Sequence, residues 1–308
     1  MRIILIGDDQ CIINFFVKLK STHDVVAIIS TKQHVLDTLK KFKRNIRTYL
    51  LEEKTTLNQK LKLEKSMLPG LPNCDLMITA VCQYILPNWL ISVPRYGSLN
   101  THFSLLPKYR GGSPITNVLI NGEKETGVTF HFMTEEFDKG DIVEQITMEI
   151  TTKDNEETIL DRSREIAKNA VASVVDKVVK INNGTATALK QTDMKIEPSY
   201  CTKKLNVIDW TKPTAYIDKV VSMTRVLSLN YFVYQDKKYH ILAHDVQLDT
   251  DVRADNDNSK NSECIVPGTI TNVVPGTVIE DGGRFKIKTG DGYIIAKRCK
   301  VLPKIQRN

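Results

Sequence analysis

The stretch that decides the fold is residues 1–30, MRIILIGDDQCIINFFVKLKSTHDVVAIIS. Its apolar runs Arg2–Ile6 and Val25–Ile29 each fit a buried strand, and the residues between them, roughly Ile12–Ser21, fit a helix. A strand, a helix and a second strand in this order form a β-α-β unit, in which the two strands are parallel. The sequence therefore predicts an α/β fold with a Rossmann-like, doubly wound and mostly parallel sheet.

Further elements continue this pattern. The first turn, Gly7-Asp8-Asp9-Gln10, lacks the three glycines of a dinucleotide fingerprint, so a nicotinamide cofactor is not expected. Ser113 and Pro114 are typical of a helix start, with serine as the N-cap and proline at the first helical position. Strands are predicted at Leu76–Val81, from Gly97 to Leu99 onward, at Val128–Met133 and at Ile142–Ile150. A long amphipathic helix is predicted at Asn155–Asn182.

The carboxyl-terminal third indicates a second domain. A helix is predicted near Pro213–Val226, and five short strands separated by turns follow it, which favours a small OB-like β-barrel. The predicted organisation is a catalytic domain at 1–184, a polar linker at 185–205 and the OB-like domain at 206–308. Within the last, Asp249–Glu263 is too polar to pack and is expected to be a loop. The five strands are placed at Tyr231–Tyr234, Tyr239–Ala243, Thr269–Val273, Phe285–Ile287 and Tyr293–Ala296.

Composition limits the class of protein. The 308 residues are 41% hydrophobic and 26% charged with a net charge of +7, which is ordinary for a globular protein with moderate attraction for phosphates. The six cysteines are scattered without metal-ligand spacing, so neither a disulfide framework nor a metal site is expected. No window approaches the roughly 20 apolar residues that cross a bilayer. A cytoplasmic protein without membrane contact is the expectation.

The segment Ser98–Asp141 carries the residues with chemical potential. Asn100 and His102 lie two apart at a predicted strand end, where ligands bind in parallel sheets and where an amide can stabilise an oxyanion beside an imidazole base. In the turn after Val128–Met133, a carboxylate at Asp138 can reach His102 and fix its tautomer, whereas Asp141 is interpreted as a turn cap. His131 alternates with apolar neighbours, so it is interpreted as a strand residue facing a polar layer.

Three linked motifs here resemble the formyltransferase family that includes methionyl-tRNA, amino-sugar and glycinamide ribonucleotide formyltransferases. They are Asn100-Thr101-His102, Ser104–Gly111 (SLLPKYRG) and Asp138-Lys139-Gly140, in the family's order and spacing. Upstream, Ile85–Asn100 is similar to the family's approach to its catalytic strand. Ile208-Asp209-Trp210 and the Gly-Asp-Gly of 290–292 are weaker similarities in the second domain. The resemblance covers most of 1–182 in fold and is sharp from about Tyr84 to Asp141.

The resemblance implies 10-formyltetrahydrofolate as formyl donor and a primary amine as acceptor, with no metal. Asn100 would then stabilise the tetrahedral intermediate, a contribution of roughly 3–4 kcal/mol, while His102 takes the amine's proton and Asp138 orients its ring. Three loops are expected to form the folate site. Their residues are Tyr84, Ile85, Leu86 and Pro87, then Ser104, Leu105, Leu106 and Pro107, and finally the Thr134–Phe137 loop with Glu136 and Phe137.

The acceptor stays open between two classes. The barrel and the basic residues Lys40, Lys41, Lys43, Arg44 and Arg47 fit a tRNA substrate, because the tRNA enzymes carry a basic insertion after their second strand. However, this segment lacks their glycine- and arginine-rich loop, and Lys40–Arg47 is predicted to be helical instead. Val81–Tyr84 and Met223–Arg225 also depart from the family pattern. These departures favour a small-molecule amine, an amino sugar on a nucleotide carrier, with the barrel serving recognition or homodimerisation.

Two other functions use the same residues differently. A 10-formyltetrahydrofolate hydrolase would employ Asn100, His102 and Asp138 with water as the nucleophile, although such relatives usually carry an amino-terminal regulatory domain. An RNA-binding module with an inactive Rossmann domain is the non-enzymatic alternative, and retention of all three residues argues against it. Release of formyl from the folate with and without an acceptor separates these functions.

Overall fold

The computed structural model describes residues 1–52, 61–151, 153–201, 208–223, 231–235, 237–248, 275–281 and 284–302. Contacts divide the chain into a first unit of Met1–Lys153 with Glu157–Cys201 and a second of Asp154–Glu156 with Thr202–Asn308. This division differs from the predicted one because it places 185–201, the larger part of the predicted linker, inside the first unit.

The described part of the first unit alternates strands and helices. Its strands are β1 Arg2–Gly7, β2 Asp24–Ser30, β3 Arg47–Leu50, β4 Leu61–Lys62, β5 Leu76–Ala80, β6 Tyr84–Ile85, β7 Ser98–His102, β8 Glu125–Phe132 and β9 Ile142–Glu149. Its helices are α1 Gln10–Leu19, α2 Gln33–Phe42, α3 Asn88–Ile91, α4 Pro114–Ile120 and α5 Glu156–Asn182, with 3-10 turns at Lys65–Met67 and Gln191–Asp193.

Among the described residues, seven of these strands form one sheet in the order β3-β2-β1-β5-β7-β8-β9. The pairs from β3 to β7 are parallel, whereas β7–β8 and β8–β9 are antiparallel. The predicted Rossmann-like, mostly parallel sheet is thereby confirmed. β1 and β5 are buried from end to end apart from Arg2, as expected for central strands covered on both faces.

Local capping explains where α1 begins. The Asp9 side chain accepts a hydrogen bond from the Cys11 N–H at 2.8 Å, so the helix starts at Gln10, two residues earlier than predicted. The helix buries an apolar face, including Phe15 and Phe16, against the sheet. Asp8 accepts from Ser30 Oγ and from the Thr31 N–H, which ties the ends of β1 and β2 together.

Two local predictions were wrong. Lys40–Arg47 is not one helix, because α2 ends at Phe42 and Arg47 begins β3, which pairs in parallel with β2. Tertiary pairing here overrides helix propensity. Although α4 begins at Pro114 as predicted, Ser113 makes no side-chain cap. Its backbone is left-handed (φ 60°), and its carbonyl accepts from the N–H and side-chain amide of Asn117.

The second unit contains α6 Thr214–Met223 and, in its described part, one antiparallel sheet. The strands are β10 Tyr231–Tyr234, β11 Lys237–Leu248, β12 Val278–Asp281, β13 Arg284–Lys288 and β14 Gly292–Leu302, in the order β10-β11-β14-β13-β12. Ile217 and Val221 of α6 lie in one buried cluster with Phe285, Ile287 and Ile294. Asp291, in the Gly-Asp-Gly turn, accepts from the Thr214 N–H at 2.6 Å and thereby caps α6.

Some predictions fall outside the described residues. These are the strand at Thr269–Val273 and the loop Asp249–Glu263. In the part of the chain that the structure describes, no helix combines the length and the apolar character needed to span a membrane.

Candidate active site

Three predicted catalytic residues lie together at the carboxyl end of β7. Asn100 and His102 are two residues apart on this strand, so their side chains project from the same face. Asp138 enters from the turn between β8 and β9. Its Oδ1 lies 3.2 Å from Asn100 Nδ2, and its Oδ2 lies 3.6 Å from His102 Nδ1. The arrangement joins an amide, an imidazole and a carboxylate, and their catalytic role stays a prediction.

Asp138 is held in place by its backbone and its neighbours. Its φ of 55° is in the left-handed region, which a non-glycine residue adopts at a cost of about 1 kcal/mol or more. The Gly111 N–H donates to Asp138 Oδ2 at 2.7 Å, and the side chain is only 12% exposed. The carboxylate is therefore directed at Asn100 and His102 rather than at solvent.

Neighbouring groups fix the orientation of the Asn100 amide. The Thr79 hydroxyl on β5 donates to Asn100 Oδ1 at 2.7 Å, so the amide nitrogen faces the other way. Nδ2 then donates to Asp138 Oδ1 and lies 3.2 Å from His131 Nε2. Asn100 thus presents its two N–H donors where Asp138 and His131 meet.

The tautomer of His102 is set by a backbone carbonyl. His102 Nε2 lies 2.8 Å from the Tyr109 oxygen, which can only accept, so Nε2 carries a proton. The Tyr109 carbonyl thus shares the orienting role that the sequence assigned to Asp138, and that role of Asp138 stays a prediction. In the neutral ring Nδ1 is unprotonated and faces Asp138, which is placed to stabilise a proton arriving there.

Burial and nearby charges shift the pKa values of His102 and Asp138. Burial lowers the pKa of His102 below its ordinary value of 6.5, and His131 adds to this, while Asp138 and the Tyr109 carbonyl oppose it. For Asp138, burial alone would raise the pKa. His102, His131 and the Gly111 N–H together outweigh burial and hold that pKa well below its ordinary value. At neutral pH the pair is a neutral imidazole beside a carboxylate, which is a competent proton acceptor.

His131 is part of this cluster, although the sequence reasoning assigned it to a polar layer. It is directly opposite Asn100 in the antiparallel β7–β8 register, and its Nε2 lies 3.4 Å from Asp138 Oδ1. Its Nδ1 lies 2.9 Å from the Phe132 carbonyl, so Nδ1 carries the proton and Nε2 can accept from Asn100. The sequence signal for His131 was a polar residue between apolar neighbours in a strand. Only the β7–β8 register shows that it lies beside Asn100.

The predicted folate residues Ser104–Pro107 follow β7 directly. Leu106 is buried and Leu105 is half-buried, and the Leu106-Pro107 peptide is cis. Thr129 on β8 donates through its hydroxyl to the Ser104 carbonyl at 2.6 Å. Gln145 on β9 donates to the Leu106 carbonyl at 2.9 Å. The two strands therefore hold this loop next to His102.

The other predicted folate residues differ in exposure. Tyr84 lies in the hydrophobic core, and its hydroxyl donates to the Glu52 carbonyl at 3.1 Å, whereas Ile85, Leu86 and Pro87 are half-buried. Phe137, adjacent to Asp138, is 62% exposed, and Glu136 forms an ion pair with Lys139. Val81, directly after β5, is also exposed. Apolar side chains are thus exposed beside Asp138, at Phe137, and at the carboxyl end of β5, at Val81.

No group of three or more His, Cys, Asp or Glu side chains that could hold a metal ion occurs among the residues described by the structure. The predicted independence from metals stays a prediction.

A family model and the curated relatives of this chain agree on one enzyme family. A family model described as formyl transferase matches residues 1–175. A methionyl-tRNA formyltransferase of Listeria monocytogenes serotype 4a (strain HCC23) is 30% identical over 300 residues, covering 96% of this chain and 88% of the relative. Another from Halalkalibacterium halodurans is 39% identical over 140 residues, covering 45% of this chain and 43% of the relative.

Two solved structures share the fold over nearly the whole chain. WlaRD, described as a sugar 3N-formyl transferase in the presence of dTDP and 5-N-formyl-THF, has a TM-score of 0.58 at 19% identity, with 99% of each chain covered. An N-formyltransferase from Helicobacter canadensis, in complex with folinic acid and dTDP-3-aminofucose, has a TM-score of 0.57 at 17% identity, covering 97% of this chain and 99% of that one.

The family model and the methionyl-tRNA formyltransferase relatives together identify an enzyme of the group-transfer class. The family match extends over more than half of the chain. This chain belongs to the formyl transferase family.

Proposed function

We propose that the enzyme transfers the formyl group of 10-formyltetrahydrofolate to a primary amine. The observation that carries the proposal is the convergence of Asn100, His102 and Asp138 at the carboxyl end of β7. An amide donor and a neutral imidazole backed by a carboxylate are the groups that acyl transfer to an amine requires.

The folate donor fits the exposed surface around this cluster. Exposed Phe137 and Val81 offer apolar surface at the sheet edge for a heterocycle, and Leu105 and Leu106 lie on the loop that follows His102. The solved relatives named above were described with formyl folates, which supports the same donor class here. We retain Tyr84–Pro87, Ser104–Pro107, Glu136 and Phe137 as the proposed folate-site residues.

The residues divide the chemical work as follows. Asn100 donates through Nδ2 to the formyl oxygen as negative charge develops there, and this bond replaces one of its two present contacts. His102 takes the proton of the attacking amine at Nδ1, since Nε2 is engaged by Tyr109. Asp138 stabilises the resulting imidazolium. The same proton is then available to the N10 nitrogen of the leaving tetrahydrofolate.

For the acceptor we propose an amino sugar on a nucleotide carrier. In the tRNA enzymes of this family a basic insertion follows the second strand. Here β2 ends at Ser30 and α2 begins at Gln33, so only Thr31 and Lys32 connect them. Between β2 and α2 this enzyme would therefore have no such loop to contact the acceptor stem of a tRNA. A small amine with a diphosphate needs only a few cationic groups.

Methionyl-tRNA is the second candidate, and a specific observation favours it. The Listeria relative is a methionyl-tRNA formyltransferase and matches 96% of this chain. On the second unit, the half-buried Lys286 lies over the half-buried Tyr293 ring at 4.1 Å, a combination of a cation and an aromatic ring that nucleic acids can contact. We further propose that the second unit forms an OB-like barrel and that the enzyme acts in the cytoplasm.

One experiment separates the candidates. Purified enzyme is incubated with 10-formyltetrahydrofolate and, in parallel, with nucleotide-linked amino sugars, charged initiator tRNA or no acceptor. We expect tetrahydrofolate and an N-formylated sugar to appear together. Formylated methionyl-tRNA would establish the second candidate. Formate without any acceptor would indicate a hydrolase, and no turnover in any mixture would contradict an enzymatic function.

A further inference from the structure

We propose that Gln191 is a positioning residue that holds Asp138 against His102 and Asn100. This proposal rests on the proposed function only for its kinetic test, because the effect of Gln191 on the pKa of His102 can be measured in the free protein. Gln191 belongs to the segment 191–201, here called the strap, which lies within the part of the chain that the sequence assigns to a linker.

The strap is bonded to the loop that carries the Tyr109 carbonyl. Arg110 and Tyr200 form a parallel bridge, in which the Arg110 N–H donates to the Ser199 carbonyl at 2.9 Å and the Cys201 N–H donates to the Arg110 carbonyl at 2.8 Å. The Ser199 hydroxyl also accepts from the Tyr109 N–H at 2.9 Å. The strap therefore supports the same loop that fixes the His102 tautomer.

The Gln191 side chain connects this loop with the turn of Asp138. The residue is only 4% exposed. Its Nε2 donates to the Asp138 and Gly140 carbonyls, each at 2.8 Å, and its Oε1 accepts from Arg110 Nε and Nη2 at 3.1 and 2.6 Å. Both amide donors and the amide acceptor are thus used within the protein, and no other residue type of this size offers the same combination.

The backbone of Asp138 explains why such a clamp is needed. A left-handed aspartate is less stable than its extended or helical alternatives, so the turn needs support from its surroundings. Gln191 holds the carbonyls on either side of Lys139, and Gly111 holds the carboxylate itself. Without Gln191 we expect the turn to relax and the carboxylate to withdraw from His102.

Two substitutions separate positioning from a purely structural role. Gln191→Glu keeps an acceptor for Arg110 but has no N–H for the two carbonyls, whereas Gln191→Ala loses both contacts. We expect both variants to lose about 100-fold in kcat, with the KM for the folate nearly unchanged. Thr192→Ala, at an exposed neighbouring position, is the matched control and is expected to match the wild type.

The second readout is the pKa of His102, measured by NMR titration of the free protein. Asp138 raises that pKa, so in Gln191→Ala it is expected to fall below the wild-type value. A Gln191→Glu variant with wild-type kcat, or a Gln191→Ala variant with an unchanged His102 titration, would overturn the positioning role. If the wild type shows no formyl transfer, the proposed function fails, while the titration still tests Gln191.

Discussion

At the scale of single residues, Asn100 carries the largest expected share of the chemistry. Its Nδ2 is directed by Thr79 towards the cluster, so Asn100→Ala removes a preoriented donor and leaves the strand pairing intact. We expect kcat to fall about 100- to 1,000-fold. Circular dichroism should show an unchanged fold, and Asn183→Ala, at an exposed position after α5, serves as the control. Near-native turnover of Asn100→Ala would contradict this role.

The pH dependence follows from His102. In the proposed mechanism its neutral form is the proton acceptor. Burial lowers its pKa below 6.5, so the neutral form persists into mildly acidic solution. We expect kcat/KM to be constant near neutral pH and to decline on acidification with a midpoint below about 6.5. The measurement is kcat/KM for the folate donor as a function of pH, with the acceptor at a saturating concentration. A midpoint well above 6.5 would contradict the assignment of His102 as the base.

Asp138 affects that profile in a predictable direction. Because its carboxylate raises the pKa of His102, Asp138→Asn removes this support without changing the side-chain size. We expect the acid limb of the profile to move to lower pH, and kcat to fall because the imidazolium loses its counter-ion. An unshifted limb at full kcat would show that the carboxylate does not act on His102.

At the scale of elements, the turn between β8 and β9 has to pass very close to β8. A Cβ at Gly140 would overlap the Phe132 carbonyl oxygen, a backbone atom that cannot move aside. We therefore expect Gly140→Ala to lower both the melting temperature and kcat, through displacement of Asp138. Gly112→Ala is the matched control, because a Cβ there meets nothing within 4 Å. Equal melting temperatures of the two variants would contradict this account.

The elements also show how far sequence reasoning reaches. Continuous apolar runs such as Arg2–Ile6 and the periodic pattern of α5 were sufficient to predict strands and helix to within a residue or two. Contacts between distant elements were not predictable. The pairing of β3 with β2 decided against a helix at Arg47, and the β7–β8 register brought His131 to Asn100. Register has no signal in a single sequence.

At the scale of the whole molecule, the acceptor determines how the enzyme responds to salt. The net charge of +7 gives general attraction for phosphates, but a diphosphate offers far fewer contacts than a tRNA. Between about 50 and 200 mM salt, a tRNA contact of six to ten phosphates loses roughly 10³- to 10⁵-fold in affinity. We expect KM for the acceptor to rise by about tenfold or less over this range, and a tRNA-like dependence would contradict a small acceptor.

The second unit contains both features that the sequence predicted and a strand that it did not. Its described strands form an antiparallel sheet, and Asp291 caps α6 in the Gly-Asp-Gly turn that the sequence singled out. Strand β12, however, was not predicted, because Val278–Asp281 lacks a clear apolar alternation. Short strands of mixed polarity derive their stability from cross-strand neighbours, which a single sequence does not specify.

The central claim is that Asn100, His102 and Asp138 deliver a formyl group from the folate to an amine. Its most direct test follows a labelled formyl group of 10-formyltetrahydrofolate in single-turnover reactions of the wild type and His102→Ala, with a nucleotide-linked amino sugar present. We predict that the label appears as an N-formyl amide with the wild type and stays on the folate with the variant. Label transfer at similar rates by both proteins would contradict the claim.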